Sequence, residues 1–145
     1  MGDFSKDINS SFKSEKVKAM LNIVYTANWV TSKQNSFFKP FGMSPQQYNV
    51  LRILRGAGEA ISVQTIKDRM VQRSPNATRM MDKLIAKNLI DRVNCETDRR
   101  VVHILITKNG LQLLQKIDKS FRNDYLENLT TKEAATLSKL LDKIR

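Results

Sequence analysis

From Phe12 to Phe38 the apolar positions recur at helical spacing. Val17, Leu21 and Val24 share one stripe with Asn28, and Met20, Ile23, Ala27 and Val30 form the next. An apolar arc this wide predicts a helix buried on more than one side, against its own domain and against a partner chain. Pro40 and Gly42 end it. The polar residues before Phe12 predict a frayed terminus. Ser44-Pro45-Gln46-Gln47 then combines a capping serine, a proline at the first helical position and a capping-box glutamine. Tyr48, Leu51 and Leu54 give that helix its inner stripe, and Gly56 and Gly58 end it. Ser62 opens a short helix to about Met70, with Val63, Ile66 and Met70 inward. Ser74-Pro75 opens the next, with Ala77, Met81, Leu84 and Ile85 inward and Asn88 in a left-handed closing position.

The period then changes to two. Leu89–Val93 and Val101–Ile106 read as strands around a polar tip, Asn94–Arg100, which makes a β-hairpin. Leu111, Leu114, Ile117 and Phe121 return to helical spacing, with Gly110 in the first turn. Thr130-Thr131-Lys132-Glu133 is a capping box for a last helix, whose stripe is Leu137, Leu140, Leu141 and Ile144. The expected fold is therefore mainly α with a small β-hairpin.

Composition narrows the setting. A length of 145 residues fits one domain. The single cysteine, Cys95, forbids an intrachain disulfide, and no apolar run approaches the length of a membrane span. The polar, acid-bearing start is unlike a signal peptide, so the expected location is the cytoplasm. The chain has 25 basic and 14 acidic residues, a net charge of +11 that attracts polyanions. The excess is spread over the whole length, so motifs must locate the binding face. One histidine, His103, and one cysteine cannot close a zinc site, and no cofactor or metal is implied. Cys95 beside Glu96 has no evident reason for a lowered pKa. No phosphate-binding glycine loop, paired carboxylates or nucleophile elbow is present, which argues against an enzyme.

The order of elements places a helix-turn-helix directly before a two-stranded wing. In such a unit the second helix of the pair enters the major groove. With Ala77, Met81 and Leu84 inward, Ser74, Asn76, Arg79 and Lys83 fall on or near the open side, flanked by Arg73 and Thr78. Arginine can bridge guanine O6 and N7, asparagine can pair with adenine, and Ser74 with the helix N-terminus can donate to phosphate. On the wing, Asp98-Arg99-Arg100 puts two guanidinium groups on a thin protrusion that can reach a minor groove. In an extended tip Asp98 would aim Arg100 into that groove and leave Arg99 to a phosphate. Tyr25, Trp29, Phe37, Phe38 and Tyr48, with Phe41, cluster near the junction of the first two helices. They either wall a cavity for an aromatic or phenolic ligand or serve core and dimer packing.

The runs Ser62–Ile90 and Thr97–Thr107 resemble the MarR family of bacterial winged-helix regulators. The shared features are a Ser/Thr-x-x-x-x-x-Leu recognition helix, the Asp-Arg-Arg wing and the pattern Ile106-Thr107-Lys108-Asn109-Gly110 after it. Asn88 departs from the family's usual glycine. The resemblance spans essentially the whole chain, and implies a homodimer, a palindromic operator and, often, small-molecule control. The resulting expectation is one domain over residues 1–145. Residues 12–39 and 108–145 would form dimerisation helices, and residues 44–107 the winged helix-turn-helix of a dimeric repressor. The alternative is a helical protein-interaction module, with a degenerate winged helix that binds an acidic protein.

Overall fold

The computed structural model describes residues 2–121 and 125–145. Residue 1 and residues 122–124, the latter within the expected C-terminal dimerisation segment, lie outside the described residues. Among the described residues seven helices and three strands follow in order. Helix α1 spans Phe4–Asp7 and α2 spans Glu15–Phe38, followed by a 3-10 turn at Lys39–Phe41. Helix α3 is Pro45–Ala57, β1 Ile61–Ser62, α4 Val63–Arg69 and α5 Ala77–Ala86. The wing is β2 Ile90–Asn94 and β3 Val102–Ile106, and α6 Lys108–Ser120 and α7 Thr131–Ile144 complete the chain.

The capping signals act as their chemistry dictates. Ser44 Oγ accepts from the Gln47 N–H while the Gln47 side chain accepts from the Ser44 N–H, at 3.1 and 3.0 Å. Thr130 and Glu133 form the same reciprocal pair at the start of α7. The Thr130 N–H and then the Thr130 hydroxyl, both donating to Glu133 Oε2 at 2.8 Å, hold the Glu133 carboxyl below its ordinary pKa. Gly42 and Gly58 close their helices with left-handed φ of 65° and 69°, and Asn88 follows α5 at 56°.

The core lies where α3, α4, α5, α6 and the sheet converge. Val50, Leu51 and Leu54 of α3 meet Ile66, Met81 and Leu84 of the helix pair, and Ile90, Ile104, Leu114 and Ile117 close the other side. Thr107 fastens the end of the wing to α6. Its N–H donates to the Leu89 carbonyl, and its hydroxyl donates to the Asn88 carbonyl and accepts from the Gly110 N–H.

Two expectations need correction, and the expected hairpin gains a third strand. The first dozen residues are not simply frayed: Phe4 is buried, its ring stacked on Phe12 and tilted against Tyr25 of α2. The hairpin is not alone. The sheet has three antiparallel strands in the order β1-β3-β2, with Ile61 opposite Ile104 and Ile90 opposite Ile106. A two-residue strand carries no period from which to read it. Helix α5 begins at Ala77 rather than after Ser74, and Ser74 Oγ instead accepts from the Asn76 N–H within the preceding turn.

The long terminal helices contribute little to this core. Among the described residues of α2 only Phe38 is buried, while Val17, Met20, Leu21, Ile23 and Val24 stand exposed. Helix α7 buries none of its residues and exposes Leu137, Leu140 and Ile144. Among the described residues no helix is long and apolar enough to cross a membrane.

Candidate nucleic-acid interface

Helix α5 is held by its apolar side. Ala77, Met81 and Leu84 are buried and Met80 packs against the core, so Thr78, Arg79, Asp82 and Lys83 are turned away from it. Ser74, Asn76, Arg79 and Lys83 line one open groove of about 990 Å³, together with Lys39, Gln46 and Lys87. Among the described residues the groove wall carries four basic residues and no acidic one. Neither the Arg79 guanidinium nor the Lys83 ammonium has a hydrogen bond or ion pair among the described residues, so both remain available to an outside anion or base edge. Arg73 and Thr78 are exposed beside this groove without lining it.

The structure places around α5 a frame that the sequence did not reveal. Gln46 Nε2 donates to Gln72 Oε1 at 2.8 Å, and the Val71 N–H donates to Asn49 Oδ1 at 3.1 Å. Both bonds fix the turn between α4 and α5 against α3. On the other side Asp82 of α5 pairs with Arg92 of β2, which joins the helix to the wing. Of the groove residues missed from sequence, Lys87 was within reach: it continues the four-residue step from Arg79 through Lys83. Lys39 and Gln46 come from distant parts of the chain, and nothing local marks them.

The wing tip is folded differently from the expectation. Asp98 Oδ1 accepts from the Arg100 N–H at 2.9 Å, and the Asp98 carbonyl accepts from the Val101 N–H at 3.1 Å. The tip is a closed turn and not an extended strand. Among the described residues Asp98 makes no ion pair with Arg99 or Arg100, so it shapes the backbone and does not aim a guanidinium. Asp98 is well suited to this because its short carboxylate can accept from an N–H two residues on. Both arginines are exposed. Cys95 also differs from expectation: Thr97 Oγ1 at 3.1 Å, then the backbone of Asp98 and Thr97, lowers its pKa.

The aromatic residues do not wall one cavity. Phe37, Phe38 and Tyr48 pack with Phe41 and Phe121, with Phe38–Tyr48 ring centres 4.5 Å apart. This group is core packing. Tyr25 and Trp29 instead line a separate cavity of about 410 Å³ with Phe4, Asp7, Asn22 and Thr26.

The chain is similar to known proteins over most of this architecture. The family model described as "MarR family" matches residues 43–102. The multiple antibiotic resistance protein MarR of Salmonella typhimurium is 32% identical over 114 residues, which cover 76% of this chain and 78% of that protein. A MarR transcription factor from Planctomyces limnophilus has a similar structure, with a TM-score of 0.70 and 31% identity over 91% of this chain and 98% of its own. A mutant MarR from E. coli complexed with operator DNA shares the fold at a TM-score of 0.77. It is 24% identical, with 92% of this chain and 99% of that chain covered.

Proposed function

The chain belongs to the MarR family of DNA-binding transcriptional regulators, and from that premise we propose that it is a homodimeric repressor of a palindromic operator. The observation that carries this reading is the groove beside α5, whose described lining has four basic side chains, the unpaired Arg79 and Lys83 among them, and no acidic one. In this reading residues 44–107 read the DNA. Asn76 and Arg79 meet base edges, and Ser74, Lys83, Arg73 and Thr78 serve phosphates or neighbouring base edges. Arg99 and Arg100 extend the contact from the wing, on the turn that Asp98 holds.

Residues 12–39 and 108–145 supply the contact between protomers. Supporting this, the apolar stripes of α2 and α7 lie exposed in the single chain, and a face of that kind is expected to find a partner. A small aromatic or phenolic effector would act from the cavity beside Tyr25 and Trp29, whose size falls in the range that holds small ligands. To release DNA it must prefer one spacing of the two recognition helices over another. Trp29 is the only tryptophan, so its fluorescence reports on that cavity directly.

Sedimentation equilibrium tests the assembly. At micromolar concentration the protein should run at twice 16.7 kDa, and a specific duplex should take up two chains. A 16.7 kDa species alone, or one chain per duplex, would overturn the dimeric reading.

A further inference from the structure

The recognition helix meets the corner between α2 and α3 through one charged contact. Lys87 caps the C-terminal end of α5, and its ammonium donates to the carbonyl oxygen of Gly42. Gly42 closes the 3-10 turn after α2 in a left-handed conformation, two residues before Ser44 caps α3. Its N–H donates to the Lys39 carbonyl. Its own carbonyl has Lys87 as its partner among the described residues. Of the four basic residues along the groove, Lys87 is the one whose cation donates to a protein acceptor; Lys39, Arg79 and Lys83 make no such bond among the described residues. The sequence places Lys87 on the same helical face as Arg79 and Lys83 and so suggests the same task. The geometry gives it another.

We propose that Lys87 is a positioning residue: it ties the end of the recognition helix to the corner of the long helix and so fixes the spacing of the two recognition helices in the dimer. This rests on the dimeric, palindrome-reading function proposed above. A charge-assisted hydrogen bond is stronger and more directional than a neutral one. Here it spans from the DNA-reading helix to the turn that ends the long helix. Without it α5 keeps its apolar anchors, Ala77, Met81 and Leu84, and its Asp82–Arg92 pair with the wing, but its C-terminal end loses its polar tie to that corner. The helix can then pivot, and the dimer samples a wider range of spacings.

The test uses the full-length protein and an operator obtained by selection from random duplexes, with versions carrying one base pair more or fewer between the half-sites. One base pair displaces the half-sites by about 3.4 Å and turns them by about 35°, since a helical turn is about 34–36 Å for 10–10.5 base pairs. The wild type should lose about tenfold or more in affinity on the altered spacings, the scale of a mismatched site. Lys87→Met keeps the apolar stem and removes the donor. It should bind the selected operator a few-fold more weakly but show a clearly smaller spacing penalty, and Lys87→Arg should restore the penalty. The salt dependence of Lys87→Met should match that of the wild type, whereas loss of a phosphate contact lowers the slope by about one unit. A spacing penalty unchanged in Lys87→Met overturns the proposal, and a slope reduced by one unit with that unchanged penalty makes Lys87 a phosphate contact. If the wild type selects no paired half-sites, the palindromic reading itself fails and the proposal falls with it. Failure in Lys87→Met alone leaves that reading intact.

Discussion

Replacing Gly110 by alanine sets two well-understood effects against each other. Alanine is the better helix former by about 1 kcal/mol, and Gly110 lies in the first turn of α6. Propensity alone therefore predicts a more stable protein. The surroundings predict the reverse. A Cβ at this position would stand 2.3 Å from the Leu89 carbonyl oxygen, 2.7 Å from Ile106 Cγ1 and 3.3 Å from Ile106 Cδ1. Ile106 is β-branched and stiff at χ1, and the Leu89 carbonyl cannot move freely, because it accepts the Thr107 N–H at 3.1 Å. Overpacking costs about 1–3 kcal/mol, and a weakened buried hydrogen bond adds about 1 kcal/mol. After the propensity gain is subtracted, Gly110→Ala should destabilise by about 2 kcal/mol, which lowers a urea midpoint by about 1 M for a slope near 2 kcal/mol/M. Gly56→Ala is the control. Gly56 lies inside α3 with nothing within 4 Å of an added Cβ, so this change should stabilise by about 0.5–1 kcal/mol. Both midpoints should be measured by circular dichroism at one protein concentration, because a dimer's stability depends on it. Equal or greater stability of Gly110→Ala would refute the close packing of the wing base on α6.

Other consequences follow from the interface. Arg79→Ala should cost about 1–3 kcal/mol of operator binding, concentrated at one or two base positions, as read by a panel of single-base operator variants; a loss spread evenly over all positions would assign Arg79 to the backbone. At the wing tip, Asp98→Asn keeps an acceptor for the Arg100 N–H and removes a negative charge, so it should bind DNA at least as tightly as the wild type. Asp98→Ala loses the turn and should bind more weakly than Asp98→Asn in the same titration, and the opposite order would contradict the backbone role. The lowered pKa of Cys95 gives a larger thiolate fraction than an ordinary thiol at any pH below its usual range. Its alkylation rate should rise at lower pH than that of a free cysteine, and Thr97→Val should shift the profile upward; coincident profiles would remove Thr97 as the cause.

Much of this architecture was legible because its signals are local. The capping boxes at Ser44 and Thr130, the left-handed Asn88 and the change of period at Leu89 each depend on a few adjacent residues. The open face of α5 was legible for a similar reason: burying Ala77, Met81 and Leu84 leaves Arg79 and Lys83 no direction but outward. What escaped depends on distant parts of the chain. β1 exists because Ile61 and Ser62 meet Ile104 and His103, and the wall of the groove comes from Lys39 and Gln46. The aromatic residues show the same limit. Their proximity in sequence suggested one cavity, yet Phe121 draws Phe37, Phe38 and Tyr48 into the core, and α1 draws Tyr25 away. Asp98 was assigned to the wrong partner because its nearest acceptor demand is a backbone N–H, invisible in a pattern of charges.

The central claim is that the α5 groove and the wing read a palindromic DNA sequence as a pair. Selection of the full-length protein on random duplexes tests it most directly, with the enriched pool sequenced after each round. Two inverted copies of one short half-site should emerge, centred about one helical turn apart, and Arg79→Ala should relax the preference at defined positions within each copy. Enrichment of no common sequence, with retention that depends only on duplex length and salt, would contradict it.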